Sequence, residues 1–236
     1  MYKKSVLIVT CIHGDEQILK NKHLKEIGVE TLIANHEALK ENKRFIDVDL
    51  NRSFGVDVKK PLKYEEVLAK KILLEIKNYD LVIDIHSTKS DIKELVIVSN
   101  LNKKTMEVLK FVPIKNVVLM KADMCKGSLI KHCKIGISLE YNKKTKPDYV
   151  IAQIKKIIGQ KKEYQHQFFK VKGEYSVKNN FKPNFKLKEL HKIKKGTILG
   201  NNEIGNELSK EEFYPLFLGK GRYEKTACLM LKKIEE

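Results

Sequence analysis

The chain has 236 residues, enough for one full-sized domain and a small second one, and 42% of them are hydrophobic, as in ordinary globular proteins. No apolar run approaches the roughly 20 residues that a membrane-spanning helix needs. The formal net charge is +17, but only Arg44, Arg52 and Arg222 are arginines and the other 44 basic residues are lysines, spread along the whole chain. Nucleic-acid surfaces favour arginine for bidentate contacts and stacking, so a compositional lysine bias accounts for the charge and no nucleic-acid partner is expected.

The N-terminus, MYKKSVLIVTCIHGDE, has lysines followed by a short apolar run. No small-residue cleavage site follows before the charged HGDE, so it reads as a first β-strand, Ser5 to Thr10, of a cytoplasmic protein. Further continuous apolar strands are expected at Glu30 to Ala34, Leu81 to Ile85, Leu95 to Val98, Val117 to Met120 and Ile135 to Leu139. Unbroken apolar runs suit strands buried on both faces. Between them, Tyr64 to Asn78 has helical spacing at Val67, Leu68, Ile72, Leu74 and Ile76, and Lys104 to Phe111 is a shorter helix. Pro147 can open a helix running to about Lys161, with Val150, Ile151, Ile154, Ile157 and Ile158 on its apolar stripe. The alternation predicts an α/β domain with a mostly parallel, mixed sheet.

After about Gln165, short extended pieces (FFKVKGEYSV, GTILGNN, YPLFLG, ACLMLKKI) are separated by Gly, Pro and Asn. This predicts a small β-rich C-terminal domain, 164–236, after a main domain of 1–163. The four cysteines form no CxxC, which argues against a cysteine-based zinc site and suggests reduced, mostly buried thiols.

Three strand ends carry reactive side chains. The first strand runs into His13-Gly14-Asp15-Glu16, where Gly14 would permit a tight turn that lets His13 and Glu16 face one metal ion. The strand containing Asp84 ends in His86; two positions apart, the pair points to one side, so that Asp84 can orient the imidazole. Glu140 ends a third strand. In open α/β sheets ligands bind beyond the carboxyl ends of the strands. Two histidines and a glutamate are a catalytic zinc set that leaves a position for water, and a nearby carboxylate can serve as general base and then general acid. Arg44 and Arg52 lie in one short segment, KRFIDVDLNRSF, of a chain that otherwise uses lysine. A guanidinium fork matches a carboxylate bidentately.

His13-Gly-Asp-Glu16, Arg44…Asp49-Leu-Asn51-Arg52, Asp84-Ile-His86 and the strand ending in Glu140 together resemble the succinylglutamate desuccinylase/aspartoacylase family of zinc carboxypeptidase-like hydrolases. The resemblance covers roughly residues 5–142. It implies a three-layer α/β/α zinc-exopeptidase-like domain, with one Zn2+ per chain bound by His13, Glu16 and His86. Glu140 would move protons, Arg44 would stabilise the oxyanion, and Asn51 and Arg52 would hold the carboxylate of a small N-acyl amino acid. Tyr223, in YPLFLGKGRY, is similar to a tyrosine of the family's closing segment that reaches into the site. Aspartoacylases also grip the substrate's side-chain carboxylate with an arginine before the catalytic Glu. The corresponding stretch here, SLIKHCK, has no arginine, and Lys131 would stand in. The expected activity is hydrolysis of the amide bond of an N-acyl amino acid. Trimming of peptide C-termini is the alternative, and an oligomer is left open.

Overall fold

The structure is a computed structural model that describes residues 5–19, 21–55, 62–177, 180–184, 186–218 and 226–235. In chain order the elements are β1 (Val6–Thr10), α1 (Asn21–Leu24), β2 (Glu30–Ile33), α2 (His36–Lys40), α3 (Tyr64–Glu75), β3 (Leu81–Thr88), β4 (Glu94–Val98), α4 (Lys103–Leu109), β5 (Asn116–Leu119), β6 (Gly136–Asn142) and α5 (Pro147–Gly159). They are followed by β7 (Gln167–Ser176), β8 (Lys182–Pro183), β9 (Ile198–Asn202), β10 (Gly205–Leu208), β11 (Tyr214–Leu216) and β12 (Thr226–Lys233).

Nine strands form one sheet in the order β11-β12-β7-β5-β4-β6-β3-β1-β2. The pairs β1–β2, β1–β3, β3–β6, β4–β5 and β5–β7 are parallel, while β4–β6, β7–β12 and β11–β12 are antiparallel. Alternate residues feed two faces. Ile8, Ile83, Ile85, Ile137 and Leu139 pack under α4 and α5, with Val108, Leu109, Val150, Ile154 and Ile157. Leu7, Val9 and Val82 pack under α3, with Ala69 and Ile72. The chain is thus an α/β fold with helices on both faces of a mixed, mostly parallel sheet. Pro147 sits in the first turn of α5, and Gln160 ends that helix in the left-handed conformation, its N–H bonded to the Lys156 carbonyl.

The face under α3 changes character across the sheet. The apolar side chains of α3 cover β1 and β3. A second apolar group, including Leu95, Val118, Phe169, Val171 and Leu229, covers β4, β5, β7 and β12. Between them lie Ser138 and Glu140 on β6, beside Asp84 and His86 on β3. These polar side chains line a depression instead of a core.

Two expectations from the sequence are revised. Helix α3 buries Glu65, Ala69 and Ile72, whereas Val67 and Leu74 of the expected stripe are exposed. The extended pieces after residue 164 do become strands, but β7, β12 and β11 continue the main sheet across the expected boundary. Only β8, β9 and β10, among the described residues, form a separate antiparallel sheet, in the order β10-β9-β8. No helix among the described residues is long and apolar enough to cross a membrane.

Candidate active site

At the carboxyl end of β1 the chain turns at Cys11, a non-glycine residue with φ 56°. Ala34 and Asn35, following β2, donate backbone hydrogen bonds to the carbonyls of Thr10 (2.8 Å) and Cys11 (3.0 Å), so the turn is held from the neighbouring strand. The turn expected of Gly14 follows it: Glu16 N donates to the His13 carbonyl at 3.0 Å across Gly14 and Asp15. Gly14 also serves a close approach: a Cβ there would lie 2.0 Å from the carbonyl carbon of Ala38 in α2.

This turn brings His13 and Glu16 to the end of β3, where His86 sits. The ligand-type atoms of His13, Glu16 and His86 all lie within 4.8 Å of one another, and all three residues are buried. Glu16 Oε1 is 3.0 Å from His13 Nδ1, and Glu16 Oε2 is 3.0 Å from His86 Nδ1. The opposite ring nitrogens are backed by carboxylates: His13 Nε2 is 2.9 Å from Asp49 Oδ1, and His86 Nε2 is 2.7 Å from Asp84 Oδ2. A carboxylate behind each imidazole fixes the ring's orientation and tautomer, the arrangement that metal-binding histidines adopt. Asp84 follows from its spacing to His86. Asp49, visible in the sequence only as part of DLNR, reaches His13 across 36 residues.

Arg44 completes the cluster. Its Nη2 and Nε donate to Asp49 Oδ2 at 2.9 and 3.3 Å, and its Nη1 donates to Glu16 Oε1 at 3.3 Å. The Ser87 backbone N–H donates to Glu16 Oε2 at 2.9 Å. Burial by itself would raise the Glu16 carboxyl, but the contacts with His13 and His86 outweigh it and hold the group well below the usual carboxylate range. Asp49 is likewise lowered, burial being overcome by His13 and Arg44. Burial disfavours a charged His86, yet Asp84 and Glu16 push that ring well above its ordinary value.

The charges test whether a cation fits. Arg44 pairs with Glu16 and Asp49, and Asp84 pairs with His86. Once the imidazoles are neutral, the form in which they bind a metal, three carboxylates stand against one guanidinium in a largely buried cluster, two negative charges in excess. Uncompensated buried charge is costly. A divalent ion held by two imidazole nitrogens and a carboxylate oxygen balances it, and that donor set suits zinc.

A cavity of about 340 Å³ opens over this cluster. His13, Arg44, Asn51, Arg52, Asp84, His86 and Glu140 line it together. Glu140 stands opposite His86 in the β3–β6 register. Asn51 and Arg52 lie in a 3-10 turn, Leu50–Arg52, whose start is capped by the Asp49 side chain. The Asn51 side-chain oxygen accepts from Leu129 N at 3.4 Å, and a Cβ on Gly127 would lie 2.4 Å from the Arg52 carbonyl oxygen, so this turn packs tightly on the segment before β6. Lys131 is exposed and is not among the described residues that line the cavity. Tyr223 lies outside the described residues.

Residues 2–146 match the succinylglutamate desuccinylase/aspartoacylase catalytic domain, more than half of the chain. Among curated proteins none matches the sequence. The fold is similar to that of murine aminoacylase 3, with a TM-score of 0.82 at 16% identity over 97% of this chain and 95% of that one. Succinylglutamate desuccinylase from Vibrio cholerae gives a TM-score of 0.73 at 16% identity, covering 98% of this chain and 81% of that one. The ectoine utilization protein of Ruegeria pomeroyi gives 0.72 at 15% identity, covering 98% and 85%. The matched segment spans every residue of the His13–Glu16–His86 cluster and the Arg44–Arg52 loop, and the chain belongs to the succinylglutamate desuccinylase/aspartoacylase family.

Proposed function

We propose that the protein is a zinc-dependent deacylase that hydrolyses the amide bond of a small N-acyl amino acid. The observation that carries the reading is the convergence of His13 Nδ1 and His86 Nδ1 on Glu16, each ring backed by its own carboxylate, beneath a cavity that also presents Glu140, Arg44, Asn51 and Arg52. Zinc bound by His13, Glu16 and His86 would supply Lewis acidity and bring the pKa of a bound water toward about 7. Glu140, beside His86, takes the proton of the attacking water and returns it to the departing nitrogen. Arg44 is held by Asp49 and Glu16 and so points a fixed guanidinium at the oxygen on which charge develops. Asn51 and Arg52 hold the substrate carboxylate, for which a guanidinium fork is suited. Tyr223 is retained as a further substrate contact on the family resemblance alone.

The rest of the described wall supports a neutral substrate. Ile97, Met120, Met124, Ile130, Phe217 and Leu229 give it an apolar surface. The family's grip on an acidic side chain would need a cation there, and Lys131 is on the exposed surface instead. Lys89 also borders the cavity, but Asp123 and Glu174 border it too and offset that charge. An apolar substituent gains from this wall, whereas a carboxylate would lose hydration with little in return.

The test is a panel of N-acyl amino acids and short peptides given to the zinc-loaded protein, with released amine as the readout. We expect turnover of acyl amino acids over peptides, and a higher kcat/KM for N-acetylmethionine than for N-acetylaspartate. Glu140→Ala should abolish nearly all turnover. Normal turnover by that variant would remove Glu140 from its role as base.

A further inference from the structure

Glu65 is a fully buried carboxylate to which the chemistry above gives no part. It sits in the first turn of α3, is 0% exposed, and makes no ion pair among the described residues. Its partners are instead backbone amides from another part of the chain. Glu65 Oε1 accepts from Ile46 N at 2.6 Å and from Asn35 Nδ2 at 3.1 Å. Glu65 Oε2 accepts from Asp47 N at 3.0 Å and Val48 N at 3.1 Å. Three consecutive amides converging on one carboxylate form an anion-binding concavity, and here the anion is the protein's own side chain.

The location of those amides gives the contact its meaning. Ile46, Asp47 and Val48 lie between Arg44 and Asp49, the two residues that hydrogen-bond each other and reach Glu16 and His13. At its ends the loop is also held by Lys43 N and by the Arg44 carbonyl, which accepts from Gly14 N, and Asp47 Oδ2 accepts from Tyr64 N at 2.8 Å. But Lys43, Phe45 and Asp47 are exposed, and none of the three amides donates to a backbone carbonyl, so the backbone of 46–48 is held through Glu65. Asn35 extends the tie. Its side-chain oxygen caps α2 through Ala38 N at 3.1 Å, and its backbone N–H holds the Cys11 turn. The capping of α3 itself falls to Glu66, whose side chain accepts from Lys63 N at 2.9 Å, so Glu65 is left to serve the loop. Burial would raise the Glu65 carboxyl, but its hydrogen-bond donors outweigh burial and keep it below the ordinary value.

We infer that Glu65 is a positioning residue: it clamps the backbone of residues 46–48 and thereby sets Arg44 and Asp49 in place for the reaction in the cavity. What the positioned groups do rests on the deacylase reading; the clamp itself does not. An error of an ångström in a positioned group can cost about 100-fold in rate, which is why a residue without substrate contact can matter this much.

Glu65→Gln keeps the shape but turns an amino group toward amide donors. In that variant we expect amide hydrogen exchange at Ile46, Asp47 and Val48 to speed up by about tenfold or more, with Ile154 and Ile157 of α5 unchanged. The zinc-loaded variant should lose about 10- to 100-fold in kcat. In an Arg44→Ala background the same substitution should cost clearly less than in the wild type, because part of its effect passes through Arg44 and only the part through Asp49 remains. Ile154→Val, which thins the core on the other side of the sheet, should lower Tm and leave kcat at the wild-type level. Glu65→Asp, one methylene short, takes the place of the Gln variant if the latter does not fold, with the same expectations. Unchanged exchange at residues 46–48, an unchanged kcat, or losses that simply multiply with Arg44→Ala would each overturn the inference. A wild-type protein inert toward every acyl amino acid would sink the deacylase reading, and the exchange measurement alone would then decide the clamp.

Discussion

A methyl group on Gly14 would fall within van der Waals radii of three atoms, Ala38 C, Ala38 O and Leu39 N, all of them backbone. None can swing aside as a side-chain tip could. Either α2 retreats or the 11–16 turn moves, and that turn carries both His13 and Glu16. We therefore expect Gly14→Ala to weaken zinc binding by about 10- to 100-fold, the range seen when groups supporting a ligand are lost. Competition against a chromophoric chelator measures it, and an unchanged affinity would show that the turn tolerates the push. The candidate residues at strand ends were legible in the sequence because an apolar run followed directly by His or Glu marks where a strand stops and solvent begins. His13, His86, Glu140, Arg44, Asn51 and Arg52 do line one cavity. The partners behind them were harder to read. Asp49 finds His13 at a separation of 36 residues and Glu65 finds Val48 at 17, and no local periodicity encodes contacts made by loops.

Helix α3 illustrates the same limit one level up. Apolar spacing selects Val67 and Leu74 for its buried side, yet the helix is rotated to bury Glu65 with Ala69 and Ile72. On that side Ile72 and Ile76 of the expected set stay buried, and the loop amides satisfy the Glu65 carboxylate. This makes the attachment of α3 pH-dependent. The folded-state pKa of Glu65 lies below its ordinary value, so its contribution is complete above the unfolded value, about 4.3, and is lost as pH falls through the folded one. Of the titratable groups beside it, Tyr64 ionises far above this range, and Asp47 uses its carboxylate to accept from Tyr64 N. The stability gap between wild type and Glu65→Gln in urea melts should therefore be wide at neutral pH and narrow in acid. A gap constant with pH would mean that the carboxylate charge is not what holds the loop. The strands were the easier elements to read. Those buried on both faces, such as β3, show as apolar runs, interrupted in β3 by Asp84, and even there the polar tail His86-Ser87-Thr88 extends β3 beyond its apolar stretch, because β6 continues to pair with it.

At the scale of the molecule, the change in composition near residue 164 marks a change in strand style more than a break in the sheet. Gly, Pro and Asn between short extended pieces suggest a separate unit, since sequence reveals turns but not which edge the next strand joins. In fact β7 pairs with β5 in parallel, and β12 and β11 follow it. A protein cut after residue 163 would expose the β5 edge and the apolar side chains of Val118 and its neighbours. We expect such a fragment to aggregate, as judged by light scattering during refolding, while the whole chain stays monodisperse. A fragment that remains soluble with a sharp thermal transition would argue for independent folding.

The place of β12 inside the sheet, between β7 and β11, has a bearing on the protein's life in the cell. Thr226, Cys228 and Leu229 of this strand form part of the wall opposite the histidines, although they are made on the ribosome long after them. A nascent chain could already carry all three proposed ligands by residue 86 and the proposed base by residue 140, and still have one side of the chamber missing. Birth order thus separates acquiring these groups from enclosing them, and the cavity wall is finished only once β12 has been made.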